Sequence, residues 1–168
     1  MDFAQELGAV VREVEEHVAA AGWDQPVRLF ALVPTADVLA ADPTISLSGD
    51  LALTSVEQEL EEIVTSVEDL LATIAWPDEI VGAIVVLERI ILPPEAEVDL
   101  PDDSDDSFVR IAADHPMRRD VRMVSAALRT GENMNALRFR IHDNADDVAI
   151  APDLIPGLNE AVLSTLLS

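Results

Sequence analysis

Apolar residues near the start of the chain recur at a helical period. Phe3, Leu7, Val10, Val11, Val14 and Val18 share one stripe, with Glu13, Glu15 and Glu16 off it, so residues 2–21 are predicted to form an amphipathic helix. Gly22 ends it, because glycine takes the left-handed backbone at a helix C-terminus at little cost. Trp23-Asp24-Gln25-Pro26 then turns the chain into Val27–Val33, an apolar run stopped by Pro34 and read as a buried strand. Thr35 is placed to cap a short helix through Ala41.

The next stretch admits two readings. Leu60, Ile63, Val64, Val67, Leu70, Leu71 and Ile74 follow a helical spacing from Val56, and Ser55 with Gln58 has the form of a capping box. The other reading puts a strand near Leu51–Gln58 and a shorter helix from Ser66, with Ser66 and Asp69 as the box. Periodicity favours the single helix. Ile80–Leu92 is rich in β-branched residues and apolar on both faces up to Leu87, the pattern of a central strand covered on both sides.

Asp120–Thr130 and Met134–His142 alternate as a hairpin around Gly131-Glu132-Asn133. That loop sets Met123 opposite Ile141 and Arg140 opposite Val124. Val121, Met123, Ala127, Leu137, Phe139 and Ile141 then line one face, and Arg122, Arg138 and Arg140 the other. Val148–Ile150 is a further short strand. Asp153 is the expected cap of a last helix that tolerates Pro156 in its first turn and buries Ile155, Leu158, Val162 and Leu166. Helices at both ends and hairpins in the second half define an α+β chain. The expectation is one domain over residues 1–168, with a mainly antiparallel sheet of four to six strands and helices packed largely on one face.

Composition narrows the chemistry. All ten cationic residues are Arg, against 33 Asp and Glu, for a net charge of −23 and no cysteine. Lysine chemistry, disulfides, thiolate zinc sites and cysteine nucleophiles are therefore excluded. Such a surface repels phosphodiester backbones, so nucleic acid is not an expected partner. No segment runs to 18 apolar residues and no basic leader follows Met1, so a cytoplasmic protein without membrane contact is expected.

The charge is unevenly spread. Residues 95–106 hold seven acids in twelve positions, and residues 95–107 are read as a mobile acidic loop. Ser107 to Arg140 holds seven Arg and three acids. Arg118, Arg119, Arg122, Arg138 and Arg140 are thus the candidate residues for an anionic ligand or an acidic partner, since guanidinium forks suit carboxylate and phosphate.

Other motifs fail on spacing. His17, His115 and His142 include no pair four apart, so no histidine metal site is expected. Asp102, Ser104 and Asp106 alternate like calcium ligands, yet Ser107 and Ala113 stand where an EF-hand needs Gly and Glu. Glycine-rich phosphate loops and a Gly-x-Ser-x-Gly elbow are missing. No catalytic residue, metal or cofactor is expected.

Gly22-Trp23-Asp24-Gln25-Pro26, then Arg28-Leu29-Phe30-Ala31-Leu32-Val33-Pro34-Thr35, together with Leu53-Thr54-Ser55-Val56-Glu57-Gln58-Glu59, Ile74-Ala75-Trp76-Pro77 and His115-Pro116-Met117-Arg118-Arg119-Asp120-Val121-Arg122, resemble an uncharacterised actinobacterial family over nearly the whole chain. The resemblance implies a cytoplasmic protein from a GC-rich bacterium and brings no catalytic residue with it. The leading expectation is a non-catalytic interaction or adaptor protein, a homodimer, with a protein partner. The alternative is a small-anion-binding module or enzyme using the arginine-bearing hairpin face.

Overall fold

Strand residues alternate between two apolar faces, and helices cover both. The computed structural model describes residues 3–44, 51–60, 66–91 and 119–167. Six strands form one antiparallel sheet: β1 (Arg28–Pro34), β2 (Leu53–Gln58), β3 (Gly82–Ile91), β4 (Arg119–Leu128), β5 (Asn133–Phe139) and β6 (Ala149–Ala151), in the order β2-β1-β3-β4-β5-β6. The helices are α1 (Phe3–Ala19), α2 (Thr35–Ala41), α3 (Val67–Ala72) and α4 (Pro156–Leu167). The α+β class, the strand count and the terminal helices follow the sequence reading.

The helices do not share one face. Leu7, Val10, Val11, Val14 and Val18 of α1 pack on Phe30, Leu32, Ile84, Val86, Val124 and Ala126. Leu71 of α3 and Leu158, Val162 and Leu166 of α4 pack on Leu29, Val85, Leu87 and Ala127 of the opposite face. The cause lies in β3 and β4, which are apolar at odd and even positions alike and need cover on both sides. β3 occupies the middle of the sheet, as its composition predicts.

Residues 53–58 are a strand, so the single-helix reading is corrected in favour of strand plus helix. Thr54, Ser55 and Val56 are weak helix formers, and pairing with β1 overrides the helical spacing. Ser66 does cap α3, its Oγ accepting from Asp69 N at 3.2 Å. Thr35 does not cap α2 through its side chain; its hydroxyl donates to Leu51 O at 2.7 Å.

The hairpin register also differs. Met123 lies opposite Leu137, Val124 opposite Ala136 and Arg122 opposite Arg138. The loop has three residues but is Arg129-Thr130-Gly131, closed by Leu128 N donating to Glu132 O at 2.9 Å. Gly131 has φ 110°, and the left-handed residue of such a loop is its last. Placing Gly131 first moved the loop two positions too late. The two registers keep the same faces, so Arg122 and Arg138 remain together. β5 stops at Phe139, leaving Ile141 outside the sheet and exposed.

α4 is fastened by the sheet rather than by Asp153. Asn135 Oδ1 accepts from Leu154 N at 2.9 Å and Ile155 N at 3.3 Å, while Asp153 Oδ1 accepts from Asn133 Nδ2 at 2.9 Å. Behind this turn, buried Asn135, Asn159 and Ser125 hydrogen-bond to one another at 2.6–3.0 Å.

Candidate functional site

The registers of β3, β4 and β5 place Glu88, Arg122 and Arg138 in one row across the sheet. Two like charges directly opposite each other repel, so each needs its own counterion. Arg138 finds Glu15. Its Nε and Nη2 donate to the two carboxylate oxygens at 2.8 and 2.7 Å, and both residues are buried. Asp143 accepts from Arg138 Nη1 at 3.0 Å. This pairing holds the Arg138 guanidinium above its ordinary pKa, Glu15 being the main cause and burial acting against it.

Arg122 is held differently. Only 1% of it is exposed, and its guanidinium carbon lies 4.4 Å from the centroid of Trp23. Its Nη2 donates to Gly22 O and stands 3.6 Å from Glu88 Oε2, while Nε and Nη1 make no hydrogen bond. The indole face takes the place of acceptors there, as a cation–π contact. Glu88 also accepts from Asp24 N at 2.9 Å and Gln25 N at 3.1 Å, which ties the turn after α1 to the sheet. Gly22 and Asp24 both have positive φ, 89° and 64°, and Gly22 is where a left-handed residue was expected.

Arg140 closes the group. It lies 5.6 Å from the Trp23 ring, on which Arg122 also stacks, and its Nη1 donates to Asp24 at 3.1 Å and Asp120 at 3.4 Å. Those bonds raise its pKa, Asp24 first. Asp143 sits below the usual carboxylate range because of Trp23 first and Arg138 next. The Trp23 indole nitrogen nevertheless lacks a hydrogen bond of normal geometry. Two of the five candidate arginines, Arg122 and Arg140, thus lie over one tryptophan, and Arg138 stands opposite Arg122 in the sheet, among carboxylates of the same chain. Arg119 is placed by its backbone, opposite Ile91. Arg118 and the acidic loop 95–107 lie outside the described residues.

Glu15 is the participant the hydropathy pattern misses. It stands four residues after Val11 and three before Val18, which puts it on the buried stripe despite its charge. Trp76, the second tryptophan, is a core lid whose Nε1 donates to Thr165 Oγ1 at 3.0 Å. His17 is exposed, 3.3 Å from Arg28.

An open groove of about 770 Å³ runs between α1 and β6. Met134, Ile150 and Gly8 form its floor, and Arg12, Glu13 and Glu16 its charged lip. Among the described residues β6 is the outermost strand and pairs only with β5. Among the described residues no group of three or more His, Cys, Asp or Glu could hold a metal ion. No described helix is long and apolar enough to cross a membrane.

No curated protein and no solved structure matches the chain. A family model described as PPA1309-like protein matches residues 7–167, a span that takes in most of α1, all six strands, the Trp23 cluster and the whole of α4. The chain therefore belongs to the PPA1309-like family.

Proposed function

We propose that the protein is a non-catalytic interaction module of the cytoplasm, working by docking another protein. The observation that carries this reading is the internal use of its cations. Glu15 and Asp143 occupy Arg138, Asp24 and Asp120 engage Arg140, and Gly22, Glu88 and Trp23 hold Arg122. An anion held by these guanidinium groups would have to displace carboxylates already bound, so the cluster reads as a clasp joining α1 to the sheet. What the chain offers to partners is then its remaining surface, in a molecule of net charge −23. Self-association brings two such charges together, so a partner of opposite sign is favoured over a second copy.

The test is cross-linking of the tagged protein in living cells, read by mass spectrometry, with a metabolite thermal-shift screen alongside. The reading expects one protein enriched reproducibly and no small molecule that raises the melting temperature. A saturable metabolite with no enriched protein would overturn it.

A further inference from the structure

We infer that the groove between α1 and β6 receives an extended, cationic segment of a partner protein, which adds to the sheet beside β6. The inference rests on the docking function proposed above and gives it a place and a ligand chemistry. Three features converge at this edge. Among the described residues β6 is paired on one side only, and none of them takes up the backbone groups along its outer side as a strand partner, which is the edge another strand can join. Beside it lies the groove, wide enough at about 770 Å³ for several side chains, with a floor of Met134, Ile150 and Gly8. A Cβ in place of Gly8 would stand 3.8 Å from Met134 Cε, in ordinary contact, so the floor here is the α1 backbone beside the methionine.

Charge selects the occupant. Glu13 and Glu16 rim the groove from α1, and Asp146, Asp147 and Asp153 flank β6 in sequence, all five exposed; among the described residues Arg12 is the lone cation lining the groove. A strand added beside β6 points alternate side chains toward α1. Long Lys or Arg side chains at those positions lay their stems on Met134 and Ile150 and bring their charges to Glu13 and Glu16. The opposite sheet edge lacks this combination, since Glu57 on β2 is already bound to Arg28 at 2.7 Å.

The probe is a peptide of about eight residues alternating valine and lysine, long enough for one strand, compared with its valine–glutamate counterpart. Amide NMR shifts locate its binding on the full chain. Expected are shifts centred on Ala149–Ala151 and the facing side of α1, and none with the glutamate peptide. Glu13→Gln with Glu16→Gln should weaken binding about tenfold or more, whereas Asp37→Asn with Glu59→Gln, at the opposite sheet edge, should leave it within about twofold. Ala9→Trp, at the exposed lip, should abolish it. Equal weakening by both charge pairs, shifts scattered over the acidic surface, or no binding would overturn the inference. So would loss of the β6 signals with rising protein concentration alone, which marks a second copy as the occupant. If the Ala9→Trp protein still cross-links its cellular partner at the native level, the groove is refuted and the docking function stands. If the native protein enriches none, the function itself falls.

Discussion

Glu15 and Arg138 are the residues on which the clasp turns. Both are buried and joined by two hydrogen bonds, so removing Arg138 leaves a buried carboxylate without its cation, and removing Glu15 leaves a buried guanidinium with only the half-exposed Asp143 among the described carboxylates. Glu15→Ala is expected to cost about 3–5 kcal/mol in urea unfolding, whereas Glu15→Met combined with Arg138→Leu should recover most of it. A double variant no more stable than the single one would mean that the carboxylate acts through packing and not charge. The arginines were legible because three of them alternate on one side of a hairpin. Their counterions were not. Glu15 scores as a polar residue in any hydropathy pattern, Asp24 and Glu88 come from a turn and a strand distant in sequence, and Asp143, five residues after Arg138, lies in the turn beyond β5. Only the cross-strand registers bring them together.

At the scale of elements, local rules succeeded where the backbone needs a special residue. Gly22 ends α1 with positive φ, and Ser66 caps α3. Ser66→Ala should cost about 1 kcal/mol, seen as a lower denaturation midpoint without a change in slope. An unchanged midpoint would show that α3 is held by its contacts with α4 alone. Gly82 makes a stronger demand, because a Cβ there would stand 2.8 Å from Ala127 O and 2.9 Å from Leu128 Cδ2. Gly82→Ala is therefore expected to lose about 1–3 kcal/mol by overcrowding β3 against β4. Sequence reasoning failed on β2 and on the hairpin register for different reasons. In β2 the pairing with β1 overrode a helical spacing. In the hairpin the loop length was right, but Gly131 was put at the wrong end of it. Because strand side chains alternate with a period of two, that error left Arg122 and Arg138 on their proper face, whereas Arg140, expected opposite Val124, lies past the end of β5 in a 3-10 turn. The division of helices between two faces was also readable in β3, whose odd and even positions are both apolar.

For the whole molecule, charge sets the response to conditions. Glu57 is held below the ordinary carboxylate range by Arg28, Glu68 by its own backbone N–H and then Arg89, and Asp143 by Trp23 and then Arg138. Their contribution is complete above the unfolded value of about 4. As pH falls further, the unfolded chain takes up protons first, so stability drops until the folded values are passed. Melting temperature should therefore fall below about pH 4, modestly, since all three carboxylates are well exposed. In the opposite range, a net charge of −23 repels itself. Raising sodium chloride to about 0.5 M shortens the screening length to a few ångströms and should raise the melting temperature at pH 7 by several degrees. A fall with salt would show that the ion pairs outweigh the repulsion.

The clasp is tested most directly by titrating inorganic phosphate into the protein at fixed ionic strength and pH 7 while following the melting temperature. Arginines already bound to Glu15, Asp143, Asp24 and Asp120 predict a curve that overlays the chloride control, with Arg140→Ala behaving alike. A saturable rise in melting temperature that Arg140→Ala removes would contradict the account, because phosphate would then be seated on guanidinium groups described here as taken.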